Sequence, residues 1–236
     1  MVRFKTGGLC RDAKFGPKSK ISNSFRQLIY QPASHLASHS ILIKDVIKYM
    51  KQIKGNIMEI LTNKFLRSID MGDFRLDKLE PTVENAERLL SVINANREFL
   101  GEFLEWVDGY TTVDKTLANI KKSYGDDKCG YFIMVADDII GKISFVDTDD
   151  NMGEISYWLA HGFNGRGIMT RALNKLTEIG FADMGLNRIQ LTLDKHNIRS
   201  AAVAMRCGYE CEGVLRKYFI LRGEPRDMKM FAKVAE

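Results

Sequence analysis

The chain has 236 residues, 45% of them hydrophobic and 28% charged, which suffices for one globular domain with a sizeable core and an appendage. Its net charge of +5 averages two unlike parts: residues 1–57 hold 11 Lys/Arg against 2 Asp/Glu, and residues 58–236 hold 24 against 28. The basicity is confined to the first quarter, which excludes a general DNA-binding role for the remainder, and no apolar run approaches the roughly 18–20 residues of a membrane span.

The four cysteines, at 10, 129, 207 and 211, lack the paired spacing of a zinc site or a small disulfide scaffold. Free thiols in a reducing, cytoplasmic setting are expected, and no metal. Residues 1–40 are rich in Ser, Lys and Gly without apolar periodicity, so disorder is expected there. The composition also resembles a transit peptide. Ser40 can cap a helix over 41–54, where Ile43, Val46, Ile47, Met50 and Ile53 recur at helical spacing between lysines. That basic amphipathic helix has two readings: contact with an anionic membrane or RNA, or packing on its own domain. Residues 1–57 thus form a basic extension, 58–71 a linker or the start of the domain, and 72–236 the domain; Met58 and Met71 are alternative initiators.

Phe74–Leu79 reads as a first strand, and Glu80-Pro81-Thr82 leads into a helix with Ala86, Leu89, Leu90 and Ile93 on one face. Glu98–Trp106 is an aromatic-rich helix or loop. Thr111-Thr112-Val113-Asp114 reads as a capping box for a helix reaching about Tyr124. Tyr131–Ala136, Ile139–Asp147 and Gly153–Ala160 are strand-like runs with turns at Asp137-Asp138 and over 148–151, as in an antiparallel meander. A helix is expected from Ile168 to about Met184, stopped by Gly185, and then a strand over Arg188–Leu193. Parallel pairing around that helix places the preceding loop at the carboxyl end of a strand, where open α/β sheets bind ligands. Ile198–Arg206 reads as a short helix ended by Gly208, and Tyr209–Leu221 with Asp227–Lys233 as a hairpin around Arg222-Gly223.

The loop Gly162-Phe163-Asn164-Gly165-Arg166-Gly167 is the informative stretch. Gly165 and Gly167 let the backbone approach a ligand, and the helix from Ile168 adds the positive end of its dipole, so an anionic phosphate group suits the site. A Walker loop is absent, and a dinucleotide fingerprint would need a small residue where Thr170 stands.

The loop resembles motif A of the GNAT acyl-CoA N-acyltransferases, (Gln/Arg)-x-x-Gly-x-(Gly/Ala), with Gly162 departing at the first position. Asn197-x-x-Ser200, Cys207-Gly208-Tyr209 and Gly213-Val214-Leu215-Arg216 follow in the family's order, and the resemblance is strongest to the RimJ/RimL-like branch, over residues 72–234. It implies an α+β (three-layer α/β) fold: a mixed, mostly antiparallel sheet of about seven strands, splayed at the cofactor site, with helices on both faces. It implies acetyl-CoA as co-substrate, with the pyrophosphate on the amides of Asn164, Gly165, Arg166, Gly167, Ile168 and Met169. Backbone N–H groups at Leu159 and Ala160 would face the thioester carbonyl, and Asn197 would bond the pantetheine arm; its plain reading is a helix-entry residue. Arg166 is an ion-pairing partner or a solvated charge.

Glu154 is the candidate base, acting through water, or else a strand charge. Ser200 is the candidate acid, or else a helix cap, because the tyrosine many relatives carry is Ala204 here. A carboxylate that some relatives place on the closing hairpin falls on Phe219, and His161 is an outside candidate. The implied activity is acetylation of a primary amine, that of a protein N-terminus such as a ribosomal protein's. Polyamine or aminoglycoside acetylation, a non-catalytic acyl-CoA-binding module and a ribosome- or RNA-associated module are the alternatives. Monomer and homodimer both stay open.

Overall fold

A computed structural model describes residues 65–125, 128–149 and 151–236. The expected extension over 1–57, its helix over 41–54 and the stretch to 64 lie outside the described residues.

Strands β1 (Ser68–Asp70) and β2 (Arg75–Lys78) pair antiparallel, and Phe65 and Ile69 are buried in the core, so the packed chain begins ahead of residue 72. Helix α1 (Val83–Ala95) follows, its N-terminus capped by the Thr82 hydroxyl, which accepts the Asn85 amide. Ala86, Leu89 and Ile93 are its buried face. The aromatic stretch divides into a short helix α2 (Arg97–Gly101) and a 3-10 turn (Glu105–Gly109). Helix α3 (Val113–Lys122) is capped by Thr112, which accepts the Lys115 amide. The capping box is one-sided, because a lysine stands at the third helical position where a reciprocal carboxylate is needed.

Strands β3 (Gly130–Val135), β4 (Asp138–Thr148) and β5 (Met152–Leu159) form the expected meander. The first turn sits at Ala136-Asp137, one residue earlier than the aspartate pair suggested; Ala136 takes φ +49°, and Asp138 pairs with Val135. Helix α4 (Ile168–Ala182), strand β6 (Arg188–Asp194) and helix α5 (Ile198–Arg206) come next. Strands β7 (Glu210–Leu221) and β8 (Glu224–Val234) close the chain through Arg222 and Gly223, at φ +47° and +84°, the mirror-image turn that matches strand twist.

The sheet has eight strands in the order β1-β2-β3-β4-β5-β6-β8-β7. The strand beyond the expected seven is β1, whose three residues are too few to show alternation. Every pairing is antiparallel except β5 with β6. Alternation along the strands divides the core into two layers. Tyr131, Ile133, Ile155, Leu159, Ile189 and Leu191 pack against α4 and α5, whereas Phe132, Met134, Ile139 and Trp158 pack against α1 and α3. Among the described residues no helix is long and apolar enough to cross a membrane.

Candidate active site

The site is made by a failure of pairing. β5 has eight residues, yet only Met152, Gly153 and Glu154 pair with β6, opposite Arg188, Ile189 and Gln190. Beyond that point the two strands separate. On its other edge β5 stays bonded to β4, and the Ala160 N–H donates to the Ile140 carbonyl at 2.8 Å. In an antiparallel ladder backbone groups alternate in direction, so the N–H and C=O of Tyr157 and Leu159 face the gap. Of the two amides expected to face an acyl carbonyl, Leu159's points into the gap, and Ala160's is committed to β4.

At the end of β5 the chain makes a 3-10 turn (His161–Phe163) and then the glycine loop. Asn164 is drawn into that turn: its amide and its Nδ2 both donate to the His161 carbonyl, at 3.2 and 3.0 Å. The unsatisfied amides therefore begin one residue later than expected. Gly165 and Gly167 take φ +77° and +72°, Gly167 is the N-cap of α4 without a side-chain cap, and the first amide with an acceptor is Arg171's, bonded to Gly167 O. Residues 165–170 thus present a run of backbone N–H groups, with no acceptor among the described residues, at the head of a 15-residue helix. Dipole and donors together suit this loop to an anion. Ile168 and Met169 are buried as its first turn. The Arg166 guanidinium donates from Nη2 to Gly162 O at 3.0 Å and lies 5.1 Å from the Phe163 ring, which leaves its other N–H donors for an anion.

The gap widens into a cavity of about 320 Å³ that brings together Glu154, Leu159, Asn164, Met169, Asn197 and Ser200. Glu154 stands where the strands part and accepts Gln190 Nε2 at 3.1 Å. By strand alternation it shares the Trp158 face, opposite α4. Asn197 caps α5, its Oδ1 accepting the Ser200 amide at 3.1 Å, which leaves its Nδ2 as a donor. Ser200 offers its hydroxyl, while its carbonyl accepts the Tyr157 hydroxyl at 3.2 Å. Phe219 lines the cavity, Ala204 is fully buried, and His161 lies outside, its ring edge-on to Phe99 at 4.8 Å.

Sequence reasoning passed over Tyr157 and Asp194. Tyr157 falls on the α4 and α5 side by simple alternation with Ile155 and Leu159, and burial raises its hydroxyl pKa, which keeps it a donor. Asp194 ends β6 at the cavity; it is buried, its Oδ1 accepts the His196 amide at 2.8 Å, and Arg226 lies 3.9 Å from its Oδ2. The opposite wall is Phe99, Phe103 and Trp106, the last 6.0 Å from the Trp158 ring.

A family model for the acetyltransferase (GNAT) domain matches residues 75–210. The chain is 30% identical over 161 residues to YdaF of Bacillus subtilis (strain 168), covering 65% of this chain and 87% of that protein. It is 28% identical to the ribosomal-protein-serine acetyltransferase of Escherichia coli (strain K12), covering 67% and 93%. Among solved structures, the microcin C7 self-immunity acetyltransferase MccE, in complex with acetyl-CoA and AMP, superposes with a TM-score of 0.65 at 30% identity, covering 73% of this chain and 99% of that one. The ribosomal L7/L12 α-N-protein acetyltransferase RimL, bound to coenzyme A, shares the fold with a TM-score of 0.65 at 22% identity, covering 71% and 97%.

Proposed function

The chain belongs to the acetyltransferase (GNAT) domain family, and on that premise we propose that it moves an acetyl group from acetyl-CoA to a protein N-terminal amine, that of a ribosomal protein. The observation that carries this reading is the run of unpaired amides at 165–170, which meets the cavity between β5 and β6 at Met169, with Leu159 on the same cavity. The acceptor class is supported by the Escherichia coli relative, matched over 93% of its length.

In this reading the 165–170 amides hold the pyrophosphate and the Asn197 carboxamide bonds the pantetheine arm. The Leu159 N–H polarises the thioester carbonyl and takes up charge on its oxygen as the neutral amine attacks. The C–N bond forms and the C–S bond breaks. Glu154 receives the amine's proton through water, and the Ser200 hydroxyl supplies one to the departing sulfur, to be restored from solvent.

Three carboxylates on the cavity, Glu105, Glu154 and Asp194, favour a second reading in which a small polycation is the acceptor. Release of free thiol from acetyl-CoA, measured with a panel of ribosomal-protein N-terminal peptides, spermidine and an aminoglycoside, separates the two. Peptides should give the highest kcat/KM. Faster turnover with spermidine would transfer the proposal to the second reading, and acetyl-CoA binding without thiol release would reduce the protein to a binding module. Glu154→Gln should lower kcat by roughly 100-fold and leave acetyl-CoA affinity unchanged.

A further inference from the structure

Two walls of the cavity come from distant parts of the chain: Phe99 and Trp106 on one side, Phe219 and Met228 of the β7–β8 hairpin on the other. Outside the cavity the Arg222 side chain joins them. Arg222, at the hairpin tip, donates from Nε and Nη2 to the two carboxylate oxygens of Asp108, at 2.9 and 3.2 Å, and from Nη1 to the Gly101 carbonyl at 2.8 Å. Gly101 ends α2 and Asp108 lies in the 3-10 turn, so a single guanidinium grips both ends of the segment that carries Phe103 and Trp106. The fit is close: a Cβ added at Gly101 would stand 2.9 Å from Arg222 Nη2.

The turn itself does not favour this residue. Both of its positions have positive φ, which suits Asn-Gly and strains an arginine. The three hydrogen bonds of the guanidinium offset that strain.

We propose that Arg222 is a positioning residue for the acceptor, clasping the hairpin to the 101–108 segment and so setting the separation of the two walls. The proposal rests on the acetyl-transfer reading above. Neither α4 nor α5 contributes to the clasp, so it tunes the amine side of the cavity and leaves the cofactor side alone. Arg222 also holds the Asp108 carboxyl below its ordinary pKa. Both side chains are about half exposed, 49% and 52%, so the effect should be several-fold and stop short of abolition.

The test uses the full chain with Arg222→Asn, Asp108→Asn and Arg222→Lys. Asparagine suits the turn, so Arg222→Asn removes the clasp without weakening the hairpin. The KM for the best amine of the panel should rise roughly three- to tenfold in Arg222→Asn and Asp108→Asn, with the KM for acetyl-CoA unchanged and partial recovery in Arg222→Lys. Amide hydrogen exchange over residues 99–110 should quicken in the same two variants. An unchanged amine KM, or an equal rise in both KM values, would overturn the proposal. If the unmodified chain acetylates no amine, the acetyl-transfer reading fails instead; exchange over 99–110 then still decides the clasp, and unchanged exchange in Arg222→Asn sinks it.

Discussion

Gly165 and Gly167 show what kind of constraint a loop glycine carries. No heavy atom lies within 4 Å of a Cβ added at either, so space is not the reason for glycine. The reason is φ, at +77° and +72°, where a side chain costs ~1–2 kcal/mol. Gly165→Ala and Gly167→Ala should therefore turn the exposed amides away from a common point. Calorimetry should find acetyl-CoA binding weakened by about tenfold or more, while the melting temperature shifts little. Lys142 makes the opposite case, a charge placed where the fold does not favour it. Its Nζ donates to Ser123 Oγ at 3.3 Å, and burial lowers its pKa from 10.5 to about 8. Below pH 8 the ammonium is charged in folded and unfolded chains alike, and the cost of burying it is fully felt. Between pH 8 and 10.5 the unfolded chain keeps a proton that the folded one sheds, so stability rises with pH. Lys142→Met should gain on the order of 1–3 kcal/mol at pH 7 in denaturant titrations and lose that slope.

Among elements, α5 carries two roles in one residue. Asn197 Oδ1 caps the helix by accepting the Ser200 amide, and Nδ2 is left to face the cavity. Asn197→Asp keeps the cap and loses the donor, whereas Asn197→Ala loses both. The alanine variant should be less stable by about 1 kcal/mol, read as a lower melting temperature. The aspartate variant should keep its stability, and both should raise the KM for acetyl-CoA; an aspartate variant with unchanged KM would confine Asn197 to capping. The bounds of α5 were legible because a polar cap and a glycine bracket a short apolar pattern, and the start of α4 because two glycines precede it. The split between β5 and β6 was not legible from the strands themselves. Both have strong β character along their full lengths, yet their pairing stops after Glu154 and Gln190.

At the scale of the molecule, charge divides along the sequence. Residues 58–236 carry 24 Lys/Arg against 28 Asp/Glu, and the family match falls within them, at 75–210. Deleting residues 1–57 should leave the acetyl-CoA affinity and the amine kcat/KM unchanged. If the basic segment serves ribosome attachment, the same deletion should reduce co-sedimentation with ribosomes at low salt and abolish its salt dependence. Equal sedimentation with and without the segment would remove that role.

Sequence alone determined the order of strands and helices apart from β1, the glycine loop ahead of α4 and the family resemblance, because each is written in local signals: apolar period, caps, and glycines where φ must be positive. Tertiary structure decided which groups are free to act. It committed the Ala160 and Asn164 amides to neighbouring backbone, freed Leu159 and residues 165–170, and gathered Glu154, Asp194 and Ser200 around one cavity. It also placed Arg222 on Asp108 across a separation of 114 residues. Hydrogen-bond partners and cavity walls come from residues far apart in the chain, and no local pattern encodes which donors the fold will leave unspent.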